Sequence, residues 1–140
     1  MPSVFTLIID GQLPGRFVWR DETCVAFLSI NPFRPGHTLV VPRVEVDHWV
    51  DLEPDVLAHL AGVSQEIGAG QMAAFAPVRI GLMLAGLEVP HVHFHVVPID
   101  DVHDLDFSRA DPDPGAAALD DAADRLRDAL RARGAAGVAD

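Results

Sequence analysis

The sequence predicts an α+β domain in which an antiparallel sheet of five short strands carries two main helices. Three patterns support this. Short apolar runs are separated by Gly, Pro and Asp; two stretches place apolar residues at helical spacing; and residues 91–98 alternate strictly. With 140 residues, 49% of them hydrophobic, the chain has the size of one domain and can bury a core of its own.

The elements follow in order. Residues 17–20 and 23–28 flank Asp21-Glu22 as the arms of a hairpin flank its turn. Asn31-Pro32-Phe33-Arg34-Pro35-Gly36 is a loop rich in breakers, and Thr38-Leu39-Val40-Val41 is a buried strand stopped by Pro42. Pro54 suits a first helical turn, with Asp51, Glu53 and Asp55 at its positive end. Val56, Leu57, Leu60, Val63 and Ile67 then recur at helical spacing, and Gly68 and Gly70 mark the expected exit. Residues 78–85 read as a buried strand and residues 91–98 as another. The acidic stretch 100–115, with Pro112 and Pro114, is expected to run as a loop over the surface. Residues 116–133 form the second helix, with Leu119, Ala123, Leu126 and Leu130 on one face and acidic residues preceding Arg125, Arg127, Arg131 and Arg133, in the order the helix dipole favours. The last residues are expected to fray.

Charge and cysteine content narrow the function. The balance of 21 acidic and 10 basic residues gives a formal charge of −11. Such a field disfavours nucleic acid and anionic membranes as partners, but not a small phosphorylated ligand held in a neutral pocket. Every basic residue is Arg, so no lysine can clamp a phosphate. Cys24 is the only cysteine, which excludes an intrachain disulfide and a cysteine-rich zinc site. Within Cys24-Val25-Ala26-Phe27-Leu28 it reads as a core thiol. No run approaches the roughly 18 apolar residues of a membrane span, and the expected location is the cytoplasm.

In a strand, residues i, i+2 and i+4 share one face, so His91, His93 and His95 line up about 6.6 Å apart while Val92, Phe94 and Val96 face the core. Two chemistries use such a row. A His-x-His pair can chelate zinc if a third ligand joins it, and only His37 suggests itself. Alternatively, a neutral imidazole can attack phosphorus while its neighbours hold the phosphate and fix the nucleophile's tautomer. Crowding keeps most of the three imidazoles neutral near pH 7. Gly86, five residues upstream, permits close backbone approach to a phosphate and equally suits a turn before the strand.

Residues 85–98, Ala85-Gly86-Leu87-Glu88-Val89-Pro90-His91-Val92-His93-Phe94-His95-Val96-Val97-Pro98, resemble the signature of the histidine-triad (HIT) family. Gly36-His37-Thr38-Leu39-Val40-Val41-Pro42 looks like the family's second signature, and Val4-Phe5-Thr6-Leu7-Ile8-Ile9-Asp10-Gly11 like its opening. The likeness is to a bacterial, HINT-like branch without the zinc cysteines. It implies a HIT domain over residues 3–105, with residues 106–140 packing on or beside it as a loop and helix. It further implies that His93 attacks the α-phosphorus to give a covalent nucleotidyl-histidine, which water then hydrolyses. His95 and the backbone near Gly86 and Glu88 would hold the phosphate, and His91 and His37 would support the nucleophile. The implied substrates are nucleoside phosphoramidates or nucleotide phosphoanhydrides, with no cofactor or metal, and many members are homodimers. A binding protein that holds a nucleotide or other phosphate without turnover is the alternative.

Several positions depart from the resemblance. Ser3, Thr6 and Glu45 stand where relatives place structural-zinc ligands, so that zinc is not expected here. Ser29 stands at the usual ribose-binding position, with Asn31 as a substitute; Leu87 replaces a common Gln, and residues 81–84 are shorter and more apolar than usual. Arg34 reads as a solvated loop charge, Trp19 and Trp49 as packing residues, and His48, His59 and His103 as surface residues. Glu88 would repel a phosphate unless its side chain turned away. The Asp-rich stretch lacks calcium-loop spacing.

Overall fold

Alternation within the strands decides what each face of the sheet buries. The computed structural model describes all 140 residues. Its helices are α1 (Val4–Ile9), α2 (Pro54–Phe75) and α3 (Ala116–Ala132), and its strands are β1 (Phe17–Arg20), β2 (Cys24–Leu28), β3 (Thr38–Pro42), β4 (Arg79–Met83) and β5 (Phe94–Ile99). The five strands form one antiparallel sheet in the order β1-β2-β3-β5-β4. Cys24, Ala26, Leu28, Val40, Phe94 and Val96 join the larger core beneath α2 and α3. Val25, Phe27, Leu39 and Val41 join a smaller core with Phe5 of α1 and Phe17. Both faces are covered, so β2 and β3 are buried at every position and read as continuous apolar runs.

Five expectations need correction. The strand expected to be buried at residues 78–85 is β4 at the edge of the sheet, where only Gly81 is buried and Leu82 is 54% exposed, because no further strand covers its outer side. Residues 4–9 form a helix, α1, in addition to the two main helices expected. Its sequence, VFTLII, is β-branched and aromatic, which hides it from propensity; the Ser3 side chain caps it by accepting the Thr6 N–H, and Phe5 anchors it. Helix α2 does not exit at Gly68 and Gly70 but runs on to Phe75 and ends at left-handed Ala76. Gly70 serves a close crossing instead: a β-carbon there would lie 2.7 Å from Leu130 Cδ2 of α3. The triad strand begins at Phe94, so His91 and His93 sit in the extended approach to it, where the Val92 N–H donates to Val46 O (2.8 Å). Finally, the C-terminus is held in place: Arg20 N–H donates to Gly137 O (2.8 Å), Ala139 N–H to Val18 O (3.1 Å), and Val138 bridges Trp19. No helix is long and apolar enough to cross a membrane.

Candidate active site

A cavity of about 560 Å³ opens on the α1 side of the sheet. Its floor is β2, β3 and β5; α1, the loop carrying Glu88 and a 3-10 turn at Phe107–Arg109 wall it. His37, His93, His95 and Glu88 all line it. The imidazoles are buried: His91, His93 and His37 are at most 1% exposed and His95 5%. Burial lowers the pKa of His37 to about 3, with the neighbouring His95 and His93 adding to the effect. Burial likewise lowers His91 and His95.

The hydrogen-bond partners assign the tautomers. His93 Nδ1 faces its neighbour's carbonyl, His91 O (2.7 Å), so Nδ1 carries a proton and donates it. The attacking lone pair can then reside only on Nε2, which faces the cavity. A second chain fixes His95. Phe33 N–H donates to His37 Nδ1 (3.1 Å), so His37 is protonated at Nε2 and donates to His95 Nδ1 (2.9 Å). That leaves the proton of His95 on Nε2, pointing at Glu88 Oε1 (3.2 Å). His91 does not bond to the His93 ring through its own side chain. Its Nε2 donates to Pro42 O (2.8 Å) and its Nδ1 accepts the Ser3 hydroxyl (2.6 Å).

Glu88 does not turn away. Its Oε1 is hydrogen-bonded to His93 Nε2 as well as His95 Nε2. Burial alone would raise the Glu88 pKa; the bonds from the two histidines outweigh it and hold the carboxyl below its ordinary value. Because His93 Nδ1–H is already committed, the contact between Nε2 and Oε1 holds one further proton, shared by the pair.

Ser29 and Asn31 also line the cavity, with Ser29 Oγ accepting the Asn31 N–H (3.2 Å). The Asn31 side chain, however, donates to Asp111 O (3.0 Å). Gly86 does not line the cavity. It turns the chain with φ +76, a conformation that favours glycine. Arg34 is not a solvated charge; it pairs with Asp104 (2.7 Å) and Asp100 (3.0 Å).

Sequence reasoning missed two groups. Gln71, fully buried in α2, donates to Gly36 O (2.9 Å) and Val96 O (2.8 Å), tying the His37 turn to the His95 strand. A lone Gln in an apolar helix gave no signal of this. Ser3, Thr6 and Glu45 form the second. Glu45 Oε1 accepts Ser3 N–H (2.6 Å) and the Thr6 hydroxyl (2.7 Å), and Ser3 continues the network to His91. These hydroxyls are poor zinc ligands and are already engaged with one another, so the set does not fit a structural zinc.

Glu88, His93 and His95 do bring three ligand atoms within 4.8 Å of one another, with Glu88 as a third ligand beside the His-x-His pair. Metal binding at His95 Nε2 would nevertheless require reversing its tautomer and that of His37, leaving the buried Phe33 N–H without an acceptor.

The HIT domain family matches residues 10–102. An uncharacterized HIT-like protein of Methanocaldococcus jannaschii is 37% identical over 99 residues, covering 68% of this chain and 77% of its own. Among solved structures, a zinc-bound histidine triad family protein from Mycobacterium smegmatis superposes with TM-score 0.81 at 30% identity, covering 94% of both chains. A hypothetical histidine triad nucleotide-binding protein from Sulfolobus tokodaii gives 0.76 at 26% identity, over 91% of each chain. With a buried imidazole row on a five-stranded α+β frame, the chain belongs to the histidine-triad family.

Proposed function

We propose that this protein is a metal-independent nucleotidyl hydrolase or transferase with His93 Nε2 as its nucleophile. The observation that carries the reading is the Nδ1–H bond to His91 O, which leaves Nε2 as the only available lone pair. The Sulfolobus tokodaii neighbour, described as nucleotide-binding, supports the ligand class. Residues 3–105 form the HIT unit in this reading. The nucleoside lies toward Phe5, Ile8 and Phe27, with Ser29 near the ribose. The phosphate takes the place of the Glu88 carboxylate, and the shared proton passes to solvent, freeing the His93 Nε2 lone pair.

In the first step Nε2 forms a bond to phosphorus and the bond to the leaving nitrogen or oxygen breaks. The leaving atom takes the electron pair and a proton from water, while His95 Nε2–H donates a hydrogen bond to the phosphoryl group. In the second step water attacks the same phosphorus, the P–N bond breaks with its pair returning to His93 Nε2, and the water proton passes to solvent, balancing the proton taken up in the first step.

The test is turnover of an adenosine phosphoramidate, with and without chelator, beside His93→Ala. Turnover should survive chelation and fall by about 10³-fold or more in the variant. Loss of turnover on chelation would refute the metal-free mechanism. The engagement of His93 by Glu88 and of Asn31 by Asp111 favours a second reading, nucleotide binding without turnover. Binding of the same compound with no product would select it.

A further inference from the structure

The chain beyond β5 is fastened over the histidines. Arg34 holds its start through Asp100 and Asp104, and Asp104 also accepts the N–H groups of Asp100 and Asp101. Further on, Asn31 Nδ2 donates to Asp111 O, and Asp111 N–H donates back to Pro32 O (3.0 Å). Between these ties sits the 3-10 turn Phe107–Arg109, capped by Asp106. Phe107 meets Phe33 edge-on (5.2 Å, 80°) and His95 edge-on (5.5 Å, 89°), yet remains 45% exposed at the cavity wall. An aromatic ring held by two ties and left half open is a surface waiting for a partner. It also lies outside the residues matched by the family.

We propose that Phe107 and Phe33 seat the leaving group, and that the preferred substrate is a nucleotidyl compound whose phosphorus carries an uncharged, apolar group. This rests on reading His93 as the nucleophile. Two observations carry it. The first is order along the cavity. Phe5 packs on His93 (4.9 Å), whereas Phe33 and Phe107 pack on His95 (5.7 and 5.5 Å). The apolar surface therefore has two ends with the reacting histidines between them, and the end beside the proton on His95 is aromatic. The second is charge. Arg16 is the one basic side chain lining the cavity, and it is bound to Asp120 (2.8 Å). Arg34 is occupied twice over, and Glu88 is acidic. A polyphosphate leaving group would bring several negative charges to aromatic rings and a carboxylate with no free cation to meet them. An aryl or alkyl amine would instead lose water against Phe107 and Phe33.

The test compares adenosine phosphoramidates whose leaving amines differ only in bulk, methylamine and 2-phenylethylamine, together with diadenosine tetraphosphate. In the native chain kcat/KM should be about tenfold or more higher for the phenylethyl compound than for the methyl one, and higher than for the tetraphosphate. Phe107→Ala should shrink the phenylethyl-to-methyl ratio to within about threefold, while Phe107→Leu keeps most of it. A purely structural role would lower both amides alike and leave the ratio unchanged, which would overturn the proposal. So would equal use of the two amides by the native chain, or faster use of the tetraphosphate. If no compound is turned over, the hydrolase reading fails by itself. The same ratio is then read as binding affinity by calorimetry on the native chain and Phe107→Ala: a preference for the phenylethyl compound that Phe107→Ala removes supports the seat, and its absence refutes it.

Discussion

Two imidazoles whose Nδ1 atoms play opposite parts, a donor on His93 and an acceptor on His95, distinguish the site at the scale of single residues. Once Glu88 is displaced, His93 presents a lone pair to the cavity and His95 a proton, and in each case a backbone group sets the choice: His91 O for one, Phe33 N–H for the other. Burial favours the neutral form of His37, His91 and His95, and this carries a thermodynamic consequence. The folded pKa of His37 is about 3 against an ordinary 6.5, and those of His91 and His95 are also lowered. Between the two values the unfolded chain binds protons that the native state refuses. The stability these groups confer is thus complete above about pH 6.5 and lost as pH falls toward 3, at about 1.4 kcal/mol per pH unit for each fully responding histidine. Urea unfolding between pH 7 and 5 should show the midpoint falling with pH, less steeply in His37→Asn. An unchanged slope in the variant would contradict the assignment. The triad, His37 and Glu88 were legible because signature spacing marked them. Ser3, Glu45 and Gln71 were not, since their partners lie 88, 39 and 35 residues away along the chain.

At the scale of elements, the site depends on two helices that meet it only at its margin, Leu119 of α3 at the cavity wall and Gln71 of α2 beneath the His37 turn. Helix α2 crosses α3 closely at Gly70, and Leu126 and Leu130 of α3 are fully buried in the core that backs β5. Leu126→Ala should cost about 3 kcal/mol, read as a lower denaturation midpoint, because the void has little room to collapse. A cost below about 1 kcal/mol would mean that α3 is dispensable packing. Strands and long helices were legible from periodicity. The extent of α2 was not, because glycine signals an exit locally while a tertiary crossing can demand it mid-helix. Helix α1 was hidden for the converse reason: its residues favour strands, and only the Ser3 cap and the burial of Phe5 make it helical.

At the scale of the whole molecule, the α+β class and strand count were legible, because five apolar runs and two amphipathic stretches admit few arrangements. The placement of the two ends was not, since neither patterning nor charge reveals a long-range tie. Residues 137–139 lie along β1, the outermost strand on its side, and occupy the backbone groups that another chain would need for pairing. On the opposite side β4 has β5 as its only strand neighbour. The sheet therefore offers one open border instead of two. Association by strand pairing can join two copies through β4 about a twofold axis and then has nowhere to grow, so it yields a closed pair and never a fibre. Light scattering should report a mass no greater than twice that of the chain, and Leu82→Pro in β4 should reduce any such pair to single chains; larger species assembled through the sheet would contradict this.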